Sequence, residues 1–166
     1  MKIKTGFLLN VTILLVFMGC NSKLDKYPNG FGFIVGSETE IINSYDSTYR
    51  RMYFGKDSVI KINFSEEELL IIYNSILDNG LDKYPDNYNP DCRIMGMPSF
   101  ETKLQFTIQN KTKNLTYKYN CNNFPVFGYL KSRKHEKILK TIKLINEIAD
   151  NKSAIKKLSK SNLIFL

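Results

Sequence analysis

Residues 58–80 read SVIKINFSEEELLIIYNSILDNG, and the fold class turns on where their period changes. Up to Phe64 the period is two. Ser58, Ile60, Ile62 and Phe64 fall on one face and Val59, Lys61 and Asn63 on the other, the pattern of a half-buried strand. From Ser65 the period becomes helical. Ser65-Glu66-Glu67-Glu68 is a capping box, in which Ser65 caps the first turn and Glu68 reaches back to it. Leu69, Ile72, Tyr73, Ile76 and Leu77 then form an apolar stripe. Gly80 stands where a left-handed residue closes a helix. The spacing predicts a helix over 66–79. The acidic run Glu66–Glu68 is read as charge suited to a helix N-terminus, not as a catalytic carboxylate pair.

On the N-terminal side, Gly32–Gly36 reads as a short strand with Phe33 and Val35 on its apolar face. Residues 39–45 and 50–54 read as a hairpin across Asp46-Ser47-Thr48, which has turn chemistry. On the C-terminal side, 81–99 reads as a long loop. Residues 100–109 alternate clearly: Phe100, Thr102, Leu104, Phe106 and Ile108 oppose Glu101, Lys103, Gln105, Thr107 and Gln109. A turn at 110–113 leads to a partner strand through Leu115, Tyr117 and Tyr119. A second helix is expected over 133–149, striped by Ile138, Ile142, Ile145 and Ala149. A short helix near 154–159 follows, and the apolar end Leu163–Leu166 should dock or pair at a sheet edge. Strands, helix, hairpin and helix in one chain predict an α+β fold: an antiparallel sheet of about 4–6 strands with two main helices packed on one face.

The N-terminus reads differently. Lys2 and Lys4 precede an apolar run from Phe7 to Met18, too short for the roughly 20 residues that span a bilayer. A basic head, such a run and small residues at its end describe a secretory signal. Phe17-Met18-Gly19-Cys20 resembles the lipobox of bacterial lipoproteins. Gly19 and Cys20 match it, while Phe17 stands where leucine is usual. The resemblance implies cleavage before Cys20 and acylation of its sulfur and new amino group. It also implies a chain anchored by lipid in the bacterial cell envelope, periplasmic or surface-facing. An ordinary signal, or a short uncleaved anchor, is the alternative. Residues 1–19 would then be the signal peptide, 20–30 (polar, with Pro28 and Gly30) a flexible tether, and 31–166 a single domain, a size that supports one core.

Outside the cytoplasm, the pair Cys92 and Cys121 suggests a disulfide. Two free thiols or a metal pair are the other readings, and two sulfurs without a nearby histidine make a poor zinc site. The loop 82–91 carries Asp82, Asp86, Asn87, Asn89 and Asp91, but Cys92 and Pro98 stand where an EF-hand needs glycine and a bidentate glutamate. No metal or other cofactor is therefore expected. Tyr84 and Tyr88, beside Pro85 and Pro90, offer an aromatic surface for a protein or a sugar ring, unless they simply pack the loop down. The one histidine, His135, lies among basic residues on an expected exposed first turn and has no nucleophile beside it.

The chain carries a formal charge of +8. It falls to +6 without Lys2 and Lys4. Between Lys131 and Lys160, ten basic residues face only Glu136, Glu147 and Asp150, giving +7. The basicity is thus local, and Arg133, Lys137 and Lys140 share the side of the helix away from its stripe. Such a face suits an anionic lipid surface or another anionic polymer, and a solvated lysine-rich face is the plainer reading. Nucleic acid is not expected, because the signal exports the chain and no nucleic-acid motif is present. The sequence therefore points to a non-enzymatic, membrane-anchored module that binds a protein, a glycan or an anionic surface. An inhibitor or immunity-type lipoprotein is an alternative. So is an envelope hydrolase or transferase using carboxylates such as Glu101 or Asp91.

Overall fold

The computed structural model describes residues 25–90, 93–94, 100–119, 121–123 and 128–163, with backbone only for 93–94, 121–123 and 128–132. It is an α+β fold. Strands β1 (Gly32–Gly36), β2 (Glu40–Asn43), β3 (Thr48–Arg51) and β4 (Ser58–Lys61) form an antiparallel meander. Helix α1 (Glu66–Asp78) follows, then a 3-10 turn at Leu81–Lys83 and the short strands β5 (Asn87–Tyr88) and β6 (Arg93–Ile94). The hairpin β7 (Glu101–Ile108) and β8 (Lys111–Lys118) adds to the far side of β1. Strand β9 (Cys121–Asn123), the long helix α2 (Gly128–Asp150) and the short α3 (Ser153–Lys156) complete the chain.

The main sheet has seven strands in the order β4-β3-β2-β1-β7-β8-β5, and β6 and β9 make a separate ribbon. This exceeds the expected size, and the sheet is mixed: β5 runs parallel to β8. The difference has a local cause. β5 is two residues inside an Asp/Asn/Pro-rich stretch, which carries no alternation to read, and its pairing is supplied by β8. The β7–β8 turn is tighter than expected: Gln109 (φ 50°) and Asn110 (φ 62°) both lie in the left-handed region, as a two-residue hairpin turn of the favoured hand requires.

The alternating residues meet the helical stripes in one core. Phe33, Val35, Ile42, Leu104, Phe106 and Leu115 pack against Ile72, Tyr73 and Ile76 of α1 and Ile138, Ile142 and Ile145 of α2. Both helices therefore lie on one face of the sheet. The start of α1 is built as its sequence demands. Ser65 Oγ accepts from Glu68 N at 3.2 Å, and Glu68 Oε2 accepts from Ser65 N at 2.7 Å. Glu68 also takes the Lys152 ammonium at 2.6 Å, which joins the start of α1 to the start of α3. Gly80 adopts φ +65° past the helix end. The C-terminal segment docks as far as it is described: Ser161 Oγ donates to Met52 O, and Asn162 Oδ1 accepts from Phe54 N. Residues 164–166 of the apolar tail lie outside the described residues. Among the described residues, no helix is long and apolar enough to cross a membrane.

Candidate functional site

The opposite face of the sheet is covered by no helix among the described residues. Because side chains alternate, the same strands that bury Phe33, Val35, Leu104 and Leu115 present their neighbours there. Two rows cross the sheet in register. One runs Ile41, Gly36, Lys103, Thr116; the other runs Asn43, Ile34, Gln105, Asn114, Asn87. Between them lies a hollow of about 640 Å³. Ile34, Gly36 and Ile41 floor it, and Ser37, Glu38 and Glu101 rim one end. Gly36 deepens the floor because it offers no side chain. A neighbouring hollow of about 370 Å³ shares Glu101, Lys103, Asn114 and Thr116 and adds Asn87 and Asn89, so the two form one trough.

The trough is lined more by apolar than by polar surface, and several of its polar groups are held. Asn114 Nδ2 donates to Asn87 Oδ1 at 3.1 Å, Glu38 Oε1 accepts from Glu101 N at 2.7 Å, and Lys118 stands 3.7 Å from Glu101 Oε1. Ser37 Oγ is used to close its own turn, accepting from Thr39 N and Glu40 N. Both rim carboxylates thus have structural partners, and the surface offers amide and hydroxyl donors and acceptors over an apolar floor. That chemistry recognises and orients a ligand. Nucleophilic catalysis asks for a nucleophile with a base in reach, and the chain's one histidine lies beneath the sheet instead.

His135 corrects its expected placement. Helix α2 begins at Gly128, five residues before the spacing predicted, so His135 sits in its second turn on the buried face, 7% exposed. Its ring stacks on Tyr117 with centroids 4.2 Å apart, and Nε2 lies 2.8 Å from Lys118 O. Burial lowers its pKa, against smaller raising effects from the Lys118 carbonyl and Glu136. In the unfolded chain the imidazole takes up a proton near pH 6.5; the folded protein binds it only at lower pH. Stability contributed by neutral His135 is therefore full above pH 6.5 and falls as pH drops from there through the folded pKa. Urea unfolding at pH 7.5 and 5.5 should show this loss, and His135→Gln should reduce it. An unchanged slope in the variant would assign the pH dependence elsewhere.

The tyrosines also correct their reading. Tyr84 is buried, its hydroxyl donates to Lys134 O at 3.0 Å, and its ring meets the half-buried Tyr88 edge-on at 5.2 Å. Burial pushes the Tyr84 hydroxyl up to about 12. Tyr84 thus pins the loop to α2 and offers no open aromatic surface, whereas the half-buried Tyr88 lines the smaller hollow of the trough. The basic residues are placed as expected: Arg133, Lys137 and Lys140 are exposed on the outer side of α2. The structure does not bring them together with Tyr84 and Tyr88 as one surface. Cys20, Asp91 and Cys92 lie outside the described residues, and of Cys121 only the backbone is described, opposite Ile94.

The trough itself was not read from the sequence. Its signal was present in the polar phase of 101–107, but polar phase alone does not distinguish a hollow from a flat wet face. One end of the surface is walled by Tyr45, 44% exposed, whose hydroxyl donates to Gly32 O at 2.9 Å and lies 2.8 Å from Thr107 Oγ1. A Cβ on Gly32 would overlap that ring. Gly32→Ala should therefore destabilise by about 1–3 kcal/mol, the usual range for overpacking. Most of that cost should vanish in a Tyr45→Ala background, a non-additivity that urea unfolding of the four proteins would measure. Additive effects would mean that the ring moves aside freely.

No protein-family model, no curated protein and no solved structure matches the chain.

Proposed function

We propose that this protein is a non-enzymatic, lipid-anchored envelope module that binds a polar partner, an extended peptide or a glycan, in the trough on its uncovered sheet face. The carrying observation is the continuous hollow over Ile34, Gly36 and Ile41, in which the bonded Asn87–Asn114 amide pair, Gln105 and Thr116 stand beside Glu38, Glu101 and Lys103. Anchoring rests on the apolar run that ends at Gly19–Cys20. Cys20→Ser should abolish lipid labelling, and an unmodified Cys20 in membrane-bound protein would overturn the anchoring. The disulfide between Cys92 and Cys121 rests on the exported compartment and the even cysteine pair; the β6–β9 ribbon sets Ile94, not Cys92, opposite Cys121. Non-reducing peptide mapping should find the two fragments joined, and alkylation of both thiols in unreduced protein would exclude the bridge.

Binding itself is tested by placing a photo-crosslinking residue at Lys103 or Asn114 in intact cells, with Glu147 on the outer side of α2 as control. A discrete adduct from both trough positions, absent from the control, supports the reading. Trough positions that give no more product than Glu147 would overturn it.

A further inference from the structure

We propose that the free edge of β4 pairs two copies of this chain, antiparallel about a two-fold axis at Val59, so that one sheet continues across the dimer. The surface is the edge of the sheet and not the trough, and the pairing depends neither on a trough ligand nor on acylation of Cys20.

β4 ends the seven-strand sheet, and its register with β3 decides which of its backbone groups are spent. Ile62 N donates to Ser47 O, one step past the Lys61–Thr48 pair. In an antiparallel ladder, hydrogen-bonded pairs alternate with unbonded ones. The bonded pairs are therefore Ile62–Ser47, Ile60–Tyr49 and Ser58–Arg51. Val59 and Lys61 lie between them and turn their N–H and C=O groups outward, where no strand among the described residues meets them. An edge of this kind templates another strand unless it is guarded, commonly by a lysine. Here the lysine is drawn back over the sheet: Lys61 Nζ donates at 2.9 Å to Asp46 O, in the turn between β2 and β3.

The sequence of this edge complements itself. Asp57, the residue before β4, continues its alternation, so Asp57, Val59 and Lys61 share the uncovered face. All three are exposed, Val59 by 55%. With Val59 set opposite Val59 of the second copy, Asp57 falls opposite Lys61 and Lys61 opposite Asp57. An apolar pair thus lies on the axis with an opposite-charge pair on each side, the cross-strand neighbours that attract. Among the described residues neither Asp57 nor Lys61 has an ion pair of its own. The far edge of the sheet cannot pair in the same way, because β5 is two residues long and Pro90 follows soon after it. Pairing therefore closes at two copies instead of running on as a fibre. So short an edge buries less than the roughly 1,000 Å² of a stable interface. Helix α3, which packs against β4, also brings exposed Lys156 and Lys157 from each copy. The dimer is accordingly weak and forms where the chain is concentrated.

The test is cysteine crosslinking of the full chain in intact cells, oxidised with copper phenanthroline and read on non-reducing gels. Residues opposite each other in a hydrogen-bonded antiparallel pair have Cα atoms about 5.5 Å apart, inside the range of roughly 4.4–6.8 Å that a disulfide spans. Val59→Cys should therefore give a covalent homodimer at several times the yield of the parent chain. Arg50→Cys, exposed on the same face one strand inward, should give no more than the parent. Asp57→Cys and Lys61→Cys chains should join when expressed together, and far less when either is expressed alone. In the Val59→Cys chain, Asp57→Lys should lower the yield several-fold, and adding Lys61→Asp should restore it. Each chain carries both halves of the charge pair, so self-pairing predicts that rescue and pairing with a different protein does not. Parent-level yield from Val59→Cys overturns the proposal. So does equal yield from Arg50→Cys, or a yield indifferent to the charge exchange. Crosslinking of Val59→Cys to another protein would assign the edge to a different partner. A dimer that forms only after residues 164–166 are deleted would assign it to the chain's own tail. Either result overturns self-pairing.

Discussion

Arg51→Ala is expected to cost the domain about 3 kcal/mol and to release its C-terminal segment. Arg51 ends β3 with its side chain 10% exposed. Its Nε donates to Glu40 Oε1 at 2.8 Å and to the Tyr49 hydroxyl at 2.9 Å. Its Nη1 donates to Ser159 O at 2.8 Å, beside the Tyr53 hydroxyl, which donates to the same carbonyl at 2.7 Å. One guanidinium thus joins β2 and β3 to the segment after α3. Its removal leaves the Glu40 carboxylate near Asp150, whose own pKa is raised by burial and by Glu40. Breaking a buried pair by deleting one partner costs about 3–5 kcal/mol. Glu40 is 34% exposed and recovers some hydration, so the lower end applies. At a few degrees per kcal/mol for a domain of this size, the thermal midpoint should fall by roughly 10 °C. Arg51→Lys should recover only part, because an ammonium cannot span the same three acceptors. Urea unfolding gives the energy, and proteolysis near residue 160 reports the release. A loss under about 1 kcal/mol with residues 158–163 still protected would show that other contacts hold the segment.

Nothing in the local sequence marks Arg51 for this role. Arg50 and Arg51 are adjacent, and the alternation that buries Tyr49 and Arg51 competes with the rule that arginine stays outside. The contest is settled by the carbonyls of residues 158 and 159, more than a hundred positions away. Elements whose causes are local were legible. The change of period at Ser65, the capping box, the closing glycine and the alternation of 100–109 each specify their element within a few residues. What was not legible was set by long-range partners. β5 exists because β8 pairs with it, His135 is buried because Tyr117 and the Lys118 carbonyl of β8 lie over it, and Tyr84 is covered because Lys134 O lies over its loop. The trough belongs to this second kind. Its residues could be read as solvent-facing, but its shape comes from seven strands whose order the chain does not spell out.

Phe33→Ala should be the most damaging single truncation in the core, at about 4 kcal/mol. Phe33 has no exposed surface, and β1 is the strand that joins the meander to the β7–β8 hairpin. Its ring packs edge-on to Phe64 at 5.2 Å and tilted to Phe31 at 6.4 Å, and its strand partner is Phe106. A cavity walled by large rings collapses poorly, which places the cost within the roughly 3–5 kcal/mol seen for Phe→Ala. The backbone around it is fixed as well: Ser44 Oγ accepts from Phe33 N at 2.7 Å, and Ser44 N donates to Phe33 O at 2.9 Å. Movement of the strand to fill the hole would break that pairing. Against a total stability of about 5–15 kcal/mol, such a loss leaves a marginal domain. Phe33→Leu retains most of the volume and should cost less than half as much. The next residue, Ile34, points to the trough, so Ile34→Ser should leave stability nearly intact and weaken crosslinking from Lys103. The two substitutions, one residue apart, therefore separate the face of β1 that holds the fold from the face that binds. If Ile34→Ser destabilises as much as Phe33→Ala, the uncovered face is itself part of the core, and the binding reading loses its surface.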